Sequence, residues 1–348
     1  MNALARAAMV RQGKVPWKMR IRNNLVARAE LLAKFAQPIA PLSNIAFAFP
    51  PARIAAEELL SIARHAPFPP YAKRKFTTWF AHRDTCGKSV QAFPSTKRPK
   101  VVYFHGCSTQ YYEPRVGRAA VNVLEANGFE VIVPPQNCCG LPLLSNGEFT
   151  AARRYHSSNV RKLVDFARKG IPIVGTSTSC TLTLKEEAPE LLDMYDEDTM
   201  LVARQTYDLN EFLLLLLDDD RLNLEMRPVP LNLPYHVPCQ YRAHRIGNPG
   251  VEILNLIPEL HITQSHASCC GIAGTYGYKR EKYAIAMQVG APLFRFIEEF
   301  KSPLAVCDSE TCRWQISHAT NIPAIHPVEL LAFAYGFKPE EPLQKVIS

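Results

Sequence analysis

No apolar run in this 348-residue chain approaches the length of a membrane-spanning helix. None exceeds six residues, and the leucine-rich one, Phe212 to Leu217, is closed by Asp218, Asp219 and Asp220. The start lacks the apolar core and small-residue cleavage site of a secretory signal peptide. The arginine-rich opening, residues 1–28, contains no serine and so departs from a transit peptide. These absences lead to the expectation of a reducing cytoplasm. There, clustered cysteines bind metal or do redox chemistry more often than they form structural disulfides. Acid is scarce at the front. Residues 1–100 hold 4 Asp/Glu against 18 Lys/Arg, a balance of +14, while the rest of the chain carries −6. A basic lead ahead of an acidic body is either a solvated face or a surface for an anionic partner.

The composition is that of a globular protein, with 47% hydrophobic residues. The length suits about two domains. The 28 prolines predict many turns. The ten cysteines fall into a repeat. Asn-Cys-Cys-Gly at 137–140 and Ser-Cys-Cys-Gly at 268–271 are each flanked by lone cysteines. Cys107, Cys138, Cys139 and Cys180 recur as Cys239, Cys269, Cys270 and Cys312, displaced by 131 or 132 positions. Chance does not reproduce a doublet and both its flanking intervals.

The local patterns repeat as well. Strands are expected at 100–104, 130–133 and 171–175, with helices over 116–126 and 148–168 between them. The second copy predicts strands at 231–236, 260–263 and 304–306, with helices at 251–256 and 279–300. Alternating strands and helices make an α/β fold: two pseudo-symmetric, Rossmann-like halves with parallel sheets. The expected division is a helical basic lead and linker over 1–95, a first cysteine-rich domain over 96–225 and a second over 226–348. Every repeated cysteine follows a strand's carboxyl end, the edge where such sheets bind ligands.

Four thiolates per copy suffice for an iron–sulfur cluster or a zinc ion. Adjacent cysteines do not readily bridge to each other, because a disulfide needs more widely separated Cα atoms. Two neighbouring thiolates can instead face one polynuclear cluster. Gly140 and Gly271 supply backbone freedom and room beside such a cofactor. Gly271, Gly274 and Gly277 suggest a loop wrapped around the second site, and their spacing does not fit a dinucleotide fingerprint.

The quoted residues resemble the cysteine-rich CCG family. That family includes the cysteine-rich B subunit of heterodisulfide reductase and the iron–sulfur subunits of glycolate, lactate and anaerobic glycerol-3-phosphate oxidation. FHGC and CCGLPLLSNG in the first copy are similar to the last of these, as are CCGIAGTYGYKREKY, GAPLFRFIEE, ETCRWQI and HPVELLA in the second. The resemblance covers about residues 100–335. It implies two 4Fe-4S-type clusters on the eight cysteines, with zinc as the alternative at one site. It also implies electron transfer from a flavin-containing dehydrogenase subunit toward the quinone pool, at the cytoplasmic face of the inner membrane.

Two departures stand out. Such subunits carry a ferredoxin-like region with CxxCxxC runs, whereas Cys86 is the only cysteine here before Cys107. Either a separate ferredoxin-like chain supplies those clusters, the gene is split or truncated, or the protein works without them. The wider family also often ends each repeat in Cys-x-x-Cys, where this chain has Ser177 and Ser309 in place of the first cysteine. That favours four-thiolate clusters over the family's noncubane form, with Cys307 either a substitute ligand or a small buried strand residue.

Among other residues, His105 and His236 are expected to tune a cluster or to be ordinary strand-end histidines. His326 is expected to cap a helix, and Trp314 to shield a site. Lys73, Arg74 and Lys75 with Phe76, Trp79 and Phe80 read as a basic-aromatic patch for an anionic membrane surface or a partner. Nothing else supports nucleic acid. Two other functions compete with electron transfer: a thiol–disulfide reductase and a zinc-stabilised docking subunit.

Overall fold

The structure, a computed structural model, describes residues 2–83 and 98–347. Cys86 and the expected linker up to residue 97 lie outside the described residues.

The short β-branched runs form strands. β1 (Lys100–Phe104) pairs in parallel with β2 (Glu130–Ile132) and β3 (Ile173–Gly175), and β4 (Thr206–Asp208) extends the sheet beyond β3. The second sheet holds β5 (Leu231–Tyr235), β6 (Leu260–Gln264), β7 (Ala305–Val306) and β8 (Ala324–Ile325). Its order, β6-β5-β7-β8, repeats the first sheet's β2-β1-β3-β4. The outer strands β4 and β8 were not expected. They are three and two residues long, too short to show an alternation of apolar and polar positions. β4 also ends in Asp208, whose side chain caps the helix Leu209–Asp218 in a capping box with Glu211.

Parallel strands need crossover connections, and helices provide them. Pro114–Ala126 starts with a proline, whose missing N–H costs nothing in a first turn. It buries Val116, Ala120, Val123 and Leu124. Helix Pro327–Ala334 packs on this helix, and one hydrophobic core runs from Val101 and Tyr103 through Leu124 to Leu233, Tyr235, Val306 and Leu330. The two repeats therefore share an interior. An ionic seam reinforces the join: Glu113 receives Arg313 at 2.6 Å and Arg115 at 2.6 Å, and Arg115 also holds Glu329.

The lead folds into helices Asn2–Arg11, Trp17–Ala27, Ala29–Ala36, Ala40–Ala48, Pro50–Leu60 and Phe76–His82. It straddles both repeats. Arg22 pairs with Glu281 at 2.8 Å, and Asn24 donates to Glu148 at 2.9 Å. Ile62 forms an antiparallel bridge to Lys279. The helix Pro50–Leu60 stops where Ser61 turns left-handed, with φ 53°.

The lead also corrects the expected docking patch. Phe76 is fully buried in the shared core, with Trp79 and Phe80 packed against it, so those aromatics face inward. The apolar surface lies elsewhere. Phe35, Ile39, Leu42, Ile45, Phe47 and Phe49 are exposed. No charged residue occurs between Lys34 and Arg53. Among the described residues, no helix is long and apolar enough to cross a membrane.

Two candidate metal centres

In each sheet the chain leaves the first strand toward one neighbour and later returns on its other side. The strand ends at that reversal form a crevice. The cysteines gather there.

In the first repeat, Cys107 lies in the helix Gly106–Tyr111 after β1, and Cys138 and Cys139 lie in the loop after β2. Cys180 lies in the helix Thr178–Leu182 after β3. Their thiols form a chain: Cys107 to Cys138, Cys138 to Cys139, Cys139 to Cys180. The hydrogen bonds from Cys107 and Cys139 hold the Cys138 thiol well below its ordinary range. Hydrogen bonding to Cys138 and burial push Cys107 and Cys139 well above it. Four sulfurs gathered in this way are a soft donor set, suited to zinc or to iron–sulfur chemistry.

The cysteine turn is held by its surroundings. Asn159, on the long helix Phe149–Ala167, accepts from the Asn137 N–H at 2.8 Å and donates to the Cys138 carbonyl at 3.1 Å. Glu30, buried on the lead, accepts from the Cys138 N–H at 2.9 Å and pairs with Lys34. Gly140 closes the turn with φ 96°. Neither Asn159 nor Glu30 was found from the sequence. Glu30 is 108 positions from Cys138, and no local pattern signals such a contact.

In the second repeat, Cys239 opens the helix Cys239–His244 and is exposed. Cys269 is half-buried and accepts from the Gly271 N–H at 3.3 Å. Cys270 and Cys312 are buried, their sulfurs 3.0 Å apart. A ring nitrogen of His236 joins them, all three ligand atoms lying within 4.8 Å of one another. Cys307 is fully buried and its thiol bonds to Cys312. Among the described residues, the second site thus gathers five sulfurs and an imidazole, whereas the first gathers four sulfurs. Gly271, φ 87°, lies so close to the helix Arg280–Phe300 that a Cβ would sit 1.9 Å from the Ala286 carbonyl oxygen.

The two serines take different positions. Ser177 donates to both carboxylate oxygens of Glu310, which belongs to the second repeat. Ser309 meets the Thr311 hydroxyl at 3.4 Å. Of the histidines, His236 reaches its site, while His105 packs on Phe76 with Nδ1 2.7 Å from the Gly106 carbonyl. Burial lowers the His105 pKa to about 4. His326 caps the helix Pro327–Ala334, its Nδ1 accepting from Val328 at 3.0 Å. Trp314 lines a cavity of about 640 Å³ beside the first set.

A family model, the cysteine-rich CCG domain, matches this chain twice, over residues 101–185 and 233–317. The chain is 35% identical over 316 residues to the C subunit of anaerobic glycerol-3-phosphate dehydrogenase from Escherichia coli (strain K12), covering 90% of this chain and 77% of that one. It is 28% identical over 268 residues to the B subunit of the CoM/CoB fumarate reductase from Methanothermobacter marburgensis, covering 73% and 50%. Lactate utilization protein A of Bacillus pumilus is 30% identical over 187 residues, covering 52% and 75%. With its doubled cysteine-rich CCG domain, the chain belongs to the family of the C subunit of anaerobic glycerol-3-phosphate dehydrogenase.

Proposed function

We propose that this chain is an electron-transfer subunit carrying two iron–sulfur clusters. Cys107, Cys138, Cys139 and Cys180 hold one, and Cys239, Cys269, Cys270 and Cys312 the other, with Gly140 and Gly271 shaping the turns. When bound, such clusters accept and release single electrons. The observation that carries this reading is the pairing of two convergent thiol sets, one open to solvent at Cys239 and the other largely buried beneath the lead.

The asymmetry gives a direction. Electrons enter at the second, exposed site from a flavin-containing dehydrogenase subunit, either directly or through a separate ferredoxin-like chain. They leave from the first site toward the quinone pool. The substrate oxidised by the partner is glycerol 3-phosphate, by kinship with the Escherichia coli protein. The exposed apolar residues of the lead, within a strongly basic segment, support a peripheral position on the cytoplasmic face of the membrane. Ser177 is committed to Glu310, which supports a four-thiolate 4Fe-4S cluster at the first site. Cys307 and His236 offer the second site additional ligands.

Anaerobic purification tests the reading. Iron and acid-labile sulfide are expected, with a paramagnetic signal appearing on reduction. A protein that contains zinc alone overturns it.

A further inference from the structure

The cavity of about 640 Å³ connects the lead to the first cysteine set. Cys107, Cys138, Cys139 and Cys180 lie along it. Its other walls are mostly apolar and aromatic, among them Leu25, Leu32, Phe47, Phe68, Tyr278 and Trp314. Leu32 and Phe47 are also exposed at the surface, so the cavity communicates with the uncharged apolar face of the lead. A molecule dissolved in lipid that met this face could enter without crossing water.

The polar groups narrow the class of occupant. Among the described residues Arg53 is the lone cation lining the cavity, and its guanidinium is already committed to the carbonyls of Arg64 and Ala66. Glu187 and Glu310 are the acidic lining residues. A phosphate or carboxylate ligand would therefore be desolvated without a counter-ion, which is costly. That disfavours polar organic anions and anionic disulfides. The Gln240 side-chain oxygen is buried without a hydrogen-bond partner among the described residues and can accept from a ligand hydroxyl. Aromatic walls, few polar groups and adjacent thiols suit a flat, neutral, redox-active ring on an apolar tail.

We infer that this cavity binds the ring of a lipid-soluble quinone, entering from the membrane through the lead. The inference rests on the electron-transfer reading and adds the place where the electrons leave. In the balanced step, the quinone takes two electrons, delivered singly from the first site and supplied by the partner's reduced flavin. It also takes two protons from water, and both carbonyls become hydroxyls.

The test uses the anaerobically purified full chain with Trp17→Phe and Trp79→Phe, leaving Trp314 as the single tryptophan. Titration with decylubiquinone in mild detergent is expected to quench Trp314 saturably. Ala29→Phe and Ala56→Phe, which fill the cavity, should each weaken binding at least tenfold with iron content unchanged. The first site's reduced paramagnetic spectrum should shift on adding decylubiquinone's redox-inert analogue, 2-heptyl-4-hydroxyquinoline N-oxide. Quenching that does not saturate, or that survives both substitutions, overturns the inference. If the clusters reduce normally in such a protein, the electron-transfer reading stands and the quinone cavity alone is lost.

Discussion

Ser177 in the first repeat donates its hydroxyl to both oxygens of Glu310 in the second, at 3.0 and 2.9 Å. Ser179 donates to the same carboxylate at 3.2 Å. Ser177 stands three residues before Cys180 and Glu310 two before Cys312, so this contact ties the loops of the two centres together.

Removing the shared acceptor should loosen both loops. Glu310→Ala leaves two buried hydroxyls with a lost partner, a cost of about 1–3 kcal/mol. Urea denaturation under argon is expected to show a lower midpoint with the same slope. An unchanged midpoint would mean that the contact contributes nothing to stability.

The two metal sites should be separable. Cys139→Ser and Cys270→Ser each remove one thiolate from a different set. Iron and sulfide assays are expected to fall by about half in each variant, on the basis of one four-thiolate cluster per set. Loss of all iron in either variant would contradict independent sites.

Cys307 distinguishes the second site from the first. Its thiol reaches Cys312, whereas the equivalent position in the first repeat, displaced by 132, is Gly175. Cys307→Ala should alter the paramagnetic spectrum of the second site, leave that of the first unchanged and retain the iron. Iron loss at the second site would instead make Cys307 an essential ligand.

The paired glycines should respond unequally to alanine. Gly140 and Gly271 both have positive φ, so each Gly→Ala change carries a backbone cost of about 1–2 kcal/mol. Only at Gly271 would the new methyl strike backbone, the Ala286 carbonyl; at Gly140 the nearest atom is 3.7 Å away. Gly271→Ala should therefore lower thermal stability clearly more than Gly140→Ala, measured side by side by circular dichroism.

Acid should destabilise the first repeat through His156. Its ring is buried, and both nitrogens lack partners among the described residues. Burial lowers its pKa to about 4, against an opposing pull from Asp196. The unfolded chain binds this proton near pH 6.5 and the folded chain does not. Stability is therefore full above about pH 6.5 and falls as pH drops toward 4, by on the order of 3 kcal/mol. His156→Leu should flatten that part of the pH–stability curve, measured by urea titration at pH 7 and pH 4.5.

The strands and the cysteine crevice were legible because they follow from local signals. KVVYF at 100–104 is a strand by composition, and the displacement of Cys107 to Cys239 marks the repeat without any structure. What escaped is non-local or very short. Thr206–Asp208 and Ala324–Ile325 are strands because a neighbouring strand pairs with them, not because of their own pattern. Glu30 and Glu310 enter the first site from segments more than 100 positions away. The 73–80 patch was misread because Phe76, Trp79 and Phe80 have the same composition whether they face lipid or the core. Leu25 and Leu32 lie on two successive helices, Trp17–Ala27 and Ala29–Ala36, and only the fold brings them to one cavity wall.

The contrast between an exposed Cys239 and a buried Cys138, Cys139 and Cys180 sets an order of damage. Charged chelators in solution meet the second centre at Cys239, whereas the way to the first runs through an apolar cavity under the lead that gives a charged molecule no counter-ion. Brief treatment with a charged chelator would strip the second centre while the first persists. The half-loaded protein so formed would still hold its electron exit and would have lost its entrance.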